Sequence, residues 1–297
     1  MFNRFSLLLP ALLGAFSSAM GGDSTLSTPT QRFRFLPGAP LSLRLTAHQQ
    51  EPRTGIGKEI GSSRLKLDIG AGYDILELRP WSESLSALRI GVEFFTYALT
   101  TSADGLRLQV DAVDGFFGGH AILLLPGSSG ASALRLRIMH LSSHAVDGHL
   151  SPATGNWRDG RAPIPYTRDF GELTALRRWA SSSGHVQVHG GVAYATLIRP
   201  AALERWSFYA GGEIVNRTLI PRVFGRTAHV YVAAHFGLQG IPAWVGTVDV
   251  ESGIRMGDWD EGGMRVYGSF RSGSELFAQY YDLRARAFAL GISFDLW

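Results

Sequence analysis

The sequence predicts an all-β protein, a transmembrane antiparallel β-barrel of about 12 strands that follows a cleaved signal peptide. Three observations lead to this prediction: a secretory leader at the N-terminus, alternation of apolar and polar residues from about residue 40 onward, and an apolar last strand that ends in an aromatic residue. The 297 residues are enough for one such domain.

The leader is the segment MFNRFSLLLPALLGAFSSAMGG, in which Arg4 precedes an apolar run over residues 5–16. Ser17 and Ala19 then supply the small residues of a signal peptidase site, so we predict a signal peptide over residues 1–19. The apolar run is too short for a membrane anchor, which needs roughly 20 apolar residues. Residues 20–39 are rich in Ser, Thr and Gly and predict an exposed periplasmic lead-in to a barrel over residues 40–297.

Composition narrows the function classes. The net charge is +3 and the arginines are spread along the chain, which argues against a nucleic-acid partner. The chain has no cysteine, which is compatible with export through an oxidising compartment. No motif predicts a cofactor.

Strand alternation is the dominant pattern of the mature chain. In residues 64–75, RLKLDIGAGYDI, every second residue is apolar and the charged residues fall between them. Such segments reach about 10 residues, the length of a tilted transmembrane strand, and a bacterial single-chain barrel needs an even number of them. We predict twelve strands, near 41–49, 64–78, 88–100, 113–125, 133–144, 168–180, 185–197, 204–215, 227–237, 244–254, 262–271 and 284–296.

The C-terminal segment RARAFALGISFDLW carries its apolar residues on one face. It resembles the terminal strand by which the assembly machinery recognises outer-membrane barrels, and the resemblance implies that machinery as a partner. Trp297 is out of phase with the apolar face by one residue. The apolar residues of that face are Phe288, Leu290, Ile292, Phe294 and Leu296.

Five blocks together resemble a family of uncharacterised bacterial outer-membrane β-barrel proteins that share a domain of unknown function. They are EPRTG (51–55), SRLKLDIGA (63–71), RLRIMHLSSHAVD (135–147), GTVDVES (246–252) with DW (258–259), and QYYD (279–282). The chain departs from the family in the residues before EPR and at Gly148, where a second acid is common. The resemblance implies the barrel and no particular activity.

The block RLRIMHLSSHAVD holds the candidate catalytic residues. On a strand, His140, Ser142 and His144 share the face of the lipid-facing leucines, whereas the arginines belong in a polar lumen. A serine becomes a nucleophile when a base lies beside it and an acid orients the base. The candidates are His140, Ser142, Ser143, His144 and Asp147, with Asp169 and Glu172 as further candidate acids.

The order His140-x-Ser142 is similar to that of lipid A deacylase, an outer-membrane esterase, with His140 as base and Ser142 as nucleophile. Two other interpretations stay open. These residues could form a polar rim or anchor the 145–167 loop. A metal site from His140, His144, Asp147 and His149 fits by ligand type, but its i, i+4 spacing suits a helix better than a strand, and we predict no metal.

Charges on the opposite faces of the strands allow a third function. They could line a pore that selects anions, or they could pair across the lumen and fill it. These charges are Arg64, Lys66, Asp68, Arg89, Glu93, Arg135, Arg137, Arg205, Glu213, Arg265 and Arg271.

The sequence therefore predicts a barrel in the outer membrane of a Gram-negative-type bacterium. Its expected role is structural or surface-interacting, with outer-membrane lipids and lipopolysaccharide as partners. The alternatives are an ester hydrolase of outer-leaflet lipids that uses Ser142 and His140, and a small-solute or anion pore.

Overall fold

The computed structural model describes residues 33–37, 44–79, 87–103, 106–127, 130–241 and 243–295. The predicted signal peptide and the terminal residues Leu296 and Trp297 lie outside these ranges. Among the helices of this part of the chain, none is both long and apolar enough to cross a membrane.

The described residues form strands joined by short turns and three 3-10 turns, and the strands close into a barrel. Twelve strands pair antiparallel with their neighbours, β2 to β9 and β11 to β14, and β14 pairs back onto β2. This confirms the predicted fold class. The strands are β1 (Phe33–Phe35), β2 (Thr54–Glu59), β3 (Leu65–Leu78), β4 (Ala87–Ala103), β5 (Leu106–Gly127), β6 (Gly130–Ala145), β7 (Tyr166–Ser181), β8 (Gly184–Arg199), β9 (Trp206–Asn216), β10 (Arg222–Val223), β11 (Arg226–Ile241), β12 (Ala243–Met256), β13 (Gly263–Ser274) and β14 (Arg284–Asp295).

The predicted first strand over 41–49 is wrong for residues 44–49, which form turns. Leu45 and Ala47 alternate with polar residues as on a strand, yet Thr46 and His48 between them are buried as well. The segment is enclosed on all sides, so its alternation does not mark two unlike faces. The first barrel strand is instead β2. Its sequence, TGIGKE, has only one large apolar residue and so shows no alternation of apolar and polar residues.

The outer wall of the barrel is apolar, as the alternation predicts. Phe94, Ile138 and Leu290 are 64%, 68% and 61% exposed, while the residues next to them along each strand point inward. We call the end where β6 finishes and β14 begins the loop end, because the connections 146–165 and 275–283 lie there. The opposite end, with tight connections such as 182–183, is the turn end.

Residues 44–53, which we call the lumenal segment, run inside the barrel. Arg44 pairs with Asp295 of β14, and Gln187 of β8 donates to the Arg44 carbonyl oxygen over 2.9 Å. Thr46 donates to Glu213, which lies on β9. The segment thereby contacts strands on several sides of the barrel and occupies the lumen that the twelve strands enclose.

Ion pairs hold the lumenal segment in place. Glu51 accepts two hydrogen bonds from the Arg135 guanidinium, at 2.6 and 2.9 Å, and lies 3.8 Å from Arg137. Arg137 is fully buried and also pairs with Glu93 at 2.6 Å and Glu172 at 3.4 Å. The inward charges therefore neutralise one another across the lumen. The network continues through His120, Asp74, Arg89 and Glu77.

The loop-end half of the lumen is packed with apolar side chains. Phe277 and Tyr280, from the 275–283 connection, are buried among residues of five strands. Phe95 and Phe116 stack with ring centroids 4.5 Å apart, and the Phe277 ring meets Tyr97 edge-on at 5.6 Å. This connection folds into the barrel mouth and covers it. The strand residues of the cluster are Phe95, Tyr97, Leu99, Ala112, Phe116, Met139, Leu141, Tyr166, Phe170, Ala193, Ala195 and Ile198.

Glu51→Gln is expected to lower the free energy of unfolding by about 3–5 kcal/mol, because it leaves the buried Arg135 charge without its main partner. Denaturant titration of the barrel in detergent micelles, followed by tryptophan fluorescence, measures the change. Glu59→Gln is the matched control: its pair with Arg64 is partly exposed, so the loss should stay below about 1 kcal/mol. Equal losses in the two variants would contradict the role assigned to Glu51.

Candidate active site

Strand β6 divides the SSH-x-x-D motif between the two faces of the barrel wall. Its inward residues, Arg135 to Ser143 in steps of two, are buried, whereas Leu134, Leu136 and Ile138 are exposed on the outside. His140, Ser142 and His144 continue this outer face toward the loop end. The motif thus presents one set of side chains to the outside and another to the lumen.

On the outer face, His140 pairs with Asp169 of the neighbouring strand. The two residues are direct cross-strand partners in the β6–β7 register, and His140 Nδ1 lies 2.5 Å from Asp169 Oδ1. The ring of Phe117, on β5, packs against the other side of the imidazole at a centroid distance of 4.6 Å. The carboxylate and the phenyl ring together fix the orientation of the imidazole and leave Nε2 available.

Asp169 is itself positioned by a bulge. The β7–β8 register shifts between Asp169 and Phe170, which leaves Thr196 as the extra residue on β8. The Thr196 hydroxyl donates to the Asp169 carbonyl oxygen over 3.2 Å. The bulge therefore attaches the backbone of the acid to the next strand.

Ser142 follows His140 on the same face, at the i, i+2 spacing of about 7 Å between Cα atoms. Within the described residues its hydroxyl has no hydrogen-bond partner. Its β5 neighbour is Gly115, and a Cβ built there would lie 3.9 Å from Ser142 Oγ. At Gly171, on β7, an added Cβ would meet nothing within 4 Å. Gly171 lies opposite Ile138, whereas Thr167 lies opposite Ser142, so the space beside Ser142 is on the β5 side, at Gly115.

The inner half of the motif anchors the loop end. Ser143 is 3% exposed and donates to the carboxylate of Asp114, which also accepts the backbone N–H of Ala278 over 2.9 Å. Gln279 donates to the carbonyl oxygens of Ser143 and Ile164, each over 2.9 Å. The SSH-x-x-D and QYYD blocks, far apart in sequence, therefore meet here and hold the 146–165 and 275–283 connections against β6.

A second buried cluster ties the start of the 146–165 connection. The Tyr280 hydroxyl lies 2.9 Å from both carboxylate oxygens of Asp111, and His149 Nδ1 lies 2.7 Å from Asp111. Burial, and then the charge of Asp111, raises the pKa of Tyr280, so the phenol keeps its proton and remains a donor. His149 Nε2 also contacts the Arg161 carbonyl oxygen at 2.5 Å.

The five predicted site residues thus do not form one cluster. His140, Ser142 and His144 lie along the outer face, Ser143 lies in the lumen, and the Asp147 carboxylate accepts the backbone N–H of Gly148 in a 3-10 turn. Of the two further candidate acids, Asp169 meets His140, whereas Glu172 points inward to the lumenal arginines.

Four residues that anchor the loop end have no role in the sequence prediction: Asp111, Asp114, Gln279 and Tyr280. The QYYD resemblance is the only sequence signal that includes two of them. His149 faces the interior cluster and is separated from His140 and His144 by the barrel wall, so the four candidate metal ligands are not brought together. Among the described residues, no group of three or more His, Asp or Glu side chains is arranged to hold a metal ion.

Comparisons with known proteins add little to this site. No family model matches the chain, and no curated protein matches it. The resemblances to the uncharacterised barrel family and to lipid A deacylase therefore stay predictions. Among solved structures, the chain matches the β domain of the Bordetella autotransporter BrkA, at 14% identity and a TM-score of 0.41, over 82% of this chain and 97% of that one. A similarity this low says nothing about activity; the barrel architecture follows from the strand pairing of this chain itself.

Ser143→Ala and Ser142→Ala should differ in stability although the serines are adjacent. Ser143→Ala removes a donor from the buried Asp114 carboxylate and is expected to cost about 1–3 kcal/mol of unfolding free energy. Ser142→Ala removes an outward hydroxyl and should stay within about 0.5 kcal/mol of wild type. Denaturant titration of both variants in the same detergent makes the comparison. A larger cost for Ser142→Ala would contradict the division of the motif between the two faces.

Proposed function

We propose that the protein resides in the outer membrane and that its chemistry takes place on the outer wall of the barrel rather than in its lumen. The apolar belt, with residues such as Phe94, Ile138 and Leu290, matches the surface that a bilayer covers. The lumenal segment and the apolar cluster fill the interior. With the loop end outside the cell, His140 and Ser142 lie level with the outer leaflet.

The activity that the geometry supports best is hydrolysis of an ester bond in an outer-leaflet lipid. The observation that carries this proposal is the contact of 2.5 Å between His140 Nδ1 and Asp169 Oδ1, with Ser142 two residues along the same face. An acid that fixes a histidine beside a serine is the arrangement of a serine esterase. A lipid-facing location suits a substrate whose ester bonds lie just below the headgroups.

In the proposed reaction, Asp169 accepts the Nδ1–H of His140, so that Nε2 is the base. Ser142 Oγ attacks the ester carbonyl carbon and its proton passes to Nε2. His140 then gives this proton to the departing alcohol oxygen, which leaves the acyl group on Ser142. Water, deprotonated by the same nitrogen, releases the fatty acid and restores the serine. In this proposal His144, the next residue on the same face, donates a hydrogen bond to the oxyanion that forms when Ser142 attacks.

A second candidate is a structural or surface-interacting barrel without catalysis. It is favoured by the bonds of Ser143 and Gln279, which give the motif a role in holding the loop end together. In that case the outward His140 and Ser142 form a polar rim that hydrogen-bonds lipid headgroups. The two candidates differ in what the Ser142 hydroxyl contributes.

Mass spectrometry of lipid A and phospholipids tests the hydrolase directly. Cells of a Gram-negative host that express the wild type should accumulate lipid species that lack one acyl chain. Ser142→Ala should reduce these species below detection, because the nucleophile is lost. Asp169→Asn should reduce them about 100-fold or more, because the histidine loses its orienting acid.

Ser252→Ala is the matched control, since Ser252 is an exposed serine on the outer face of β12. All variants are compared at equal amounts of folded barrel, measured by heat-modifiable migration in gels. Equal deacylation by Ser142→Ala and the wild type would exclude Ser142 as nucleophile. Identical lipid profiles in every strain would favour the structural candidate.

The filled lumen leads us to expect no ion conduction. Wild-type protein inserted into planar bilayers at about 100 mV should give no uniform current steps, because the lumenal segment, its ion pairs and the apolar cluster occupy the interior. A porin reconstituted in the same way is the positive control. Reproducible channels of one conductance in the wild type would show that the interior opens, and would restore the pore hypothesis.

A further inference from the structure

The barrel wall has a gap at the loop end, between β14 and the chain that follows β2. Pairing of β2 with β14 ends where Glu59 lies opposite Ala289, with one more backbone bond from Ile60 N to Phe288 O at 2.8 Å. Residues 284–287 of β14 continue to pair with β13 on their other side. Among the described residues they have no strand partner on the β2 side. At about 3.4 Å per residue, the unpaired edge is roughly 14 Å long.

A cavity of about 320 Å³ lies at this gap. Its lining includes the buried Arg53 of the lumenal segment and the exposed Arg284 and Arg286 of β14, so the cavity reaches from the lumen to the outer wall. Ala285 and Ala287, the inward residues between and beside these arginines, are small and leave the space open. The gap is therefore a side entrance, level with the outer part of the apolar belt.

The cavity is cationic. Six of its lining residues are basic and three are acidic: Arg53, Arg64, Lys66, Arg271, Arg284 and Arg286 against Glu59, Asp249 and Glu275. The inner cations are paired within the protein; Arg271, for example, lies 2.7 and 2.8 Å from the two carboxylate oxygens of Asp249. Arg53 and Lys66 pair with Glu251 and Asp68, which lie outside the lining. The excess of positive charge is therefore carried by Arg284 and Arg286.

That excess lies at the entrance. Within the described residues, neither Arg284 nor Arg286 has a carboxylate within salt-bridge distance. The Arg286 guanidinium carbon lies 5.9 Å from the centroid of the Phe270 ring, which belongs to β13. The paired N–H donors of a guanidinium match the geometry of a phosphate oxygen pair.

The wall next to the entrance is apolar and exposed. Ile60 is 60% exposed, and Phe288 and Leu290 follow Arg286 along the outer face of β14. A molecule that occupies this site would therefore meet cations at the entrance and hydrocarbon-like surface immediately toward the turn end. That order of contacts is the order of headgroup and acyl chain in an outer-leaflet lipid.

We propose that this cavity is a binding site for a lipid with a net-negative phosphate headgroup. The headgroup enters the wall gap between Arg284, Arg286 and the lumenal cations, while the acyl chains remain on the outer wall along Ile60 and Phe288. The site lies on strands β14, β13, β2 and β3, whereas the proposed hydrolase site lies on β6 and β7. It does not depend on the hydrolase, and neither Ser142 nor His140 takes part in it.

Native mass spectrometry of the full barrel tests the site. The protein is reconstituted in nanodiscs of phosphatidylcholine that contain a small fraction of phosphatidic acid, and the lipids retained on ejection are identified. Wild type should retain phosphatidic acid in preference to phosphatidylcholine. Arg284→Ala with Arg286→Ala should reduce that preference about tenfold. Arg199→Ala with Arg226→Ala removes the same charge from exposed positions elsewhere and should leave the preference unchanged.

Ala287→Leu supplies an independent test, because it narrows the cavity and keeps every charge; it should also lower the preference. Heat-modifiable migration verifies folding of each variant. The proposal would be overturned if the Arg284→Ala/Arg286→Ala variant preferred phosphatidic acid as strongly as the Arg199→Ala/Arg226→Ala control. It would also be overturned if the wild type showed no preference for phosphatidic acid. Inorganic phosphate that binds wild type in lipid-free detergent, with no preference among nanodisc lipids, would identify a free-anion site and overturn the lipid assignment. Ser142→Ala should retain the lipid like the wild type, which separates this outcome from that of the hydrolase test.

Discussion

The buried ion pairs that join Glu51 to Arg135 and Arg137 are the contacts on which the rest of the structure depends. A barrel of twelve strands is wider than the small barrels whose own side chains fill the interior, so its lumen holds either water or a further part of the protein. Here the lumenal segment fills it, and its charges are matched to inward arginines and glutamates. A charge buried without a partner would cost several kcal/mol, so the segment and the wall require each other.

The course of the chain on either side of β2 determines the shape of the wall. Residues 44–53 lie inside, and the chain enters the wall at Thr54, opposite Phe294 at the turn end. β2 then has six residues where its neighbours β3 and β14 have 14 and 12. Because β2 ends at Glu59 and the chain turns back into β3, residues 284–287 of β14 have no partner on that side, and this is the gap at which Arg284 and Arg286 stand. The filled lumen belongs to the chain before β2, and the side entrance to the turn that follows it.

The sequence predicts a strand well where the two faces of the segment meet different surroundings, and poorly where both faces meet the same surroundings. Alternation predicted β3 and β6 well, because one face meets apolar surface and the other meets charge. It failed for residues 44–49, where both faces are buried. The partners in the ion-pair network were also beyond reach, since Glu51 and Arg135 are 84 positions apart and alternation gives the face of a residue but not the strand opposite.

The site was predictable to a similar extent. Alternation placed His140 and Ser142 outward. Asp169 and Glu172 both stood as candidate acids beside them, although residues three apart on a strand lie on opposite faces. Which of them meets His140 depends on the pairing register of β6 with β7, and that register became known only from the structure. The anchoring of Ser143 by Asp114 and Gln279 could not be predicted for the same reason, because it joins three separate parts of the chain.

A β-strand in a membrane wall can hold two functions in one short run of residues, because its successive side chains face different media. In β6 the inner residues, Arg137 and Ser143 among them, neutralise charge and fasten the loop end, and substitution there acts on folding. The outer residues, His140 and Ser142, point away from the interior, so the lipid hydrolysis proposed for them does not compete with the contacts of the inner face. The rigidity that the inner face provides is also what a catalytic dyad on the outer face requires, since a fixed β6–β7 register holds Asp169 opposite His140. The filled lumen holds the wall rigid from within, and the hydrolysis proposed for the outer face depends on that rigidity.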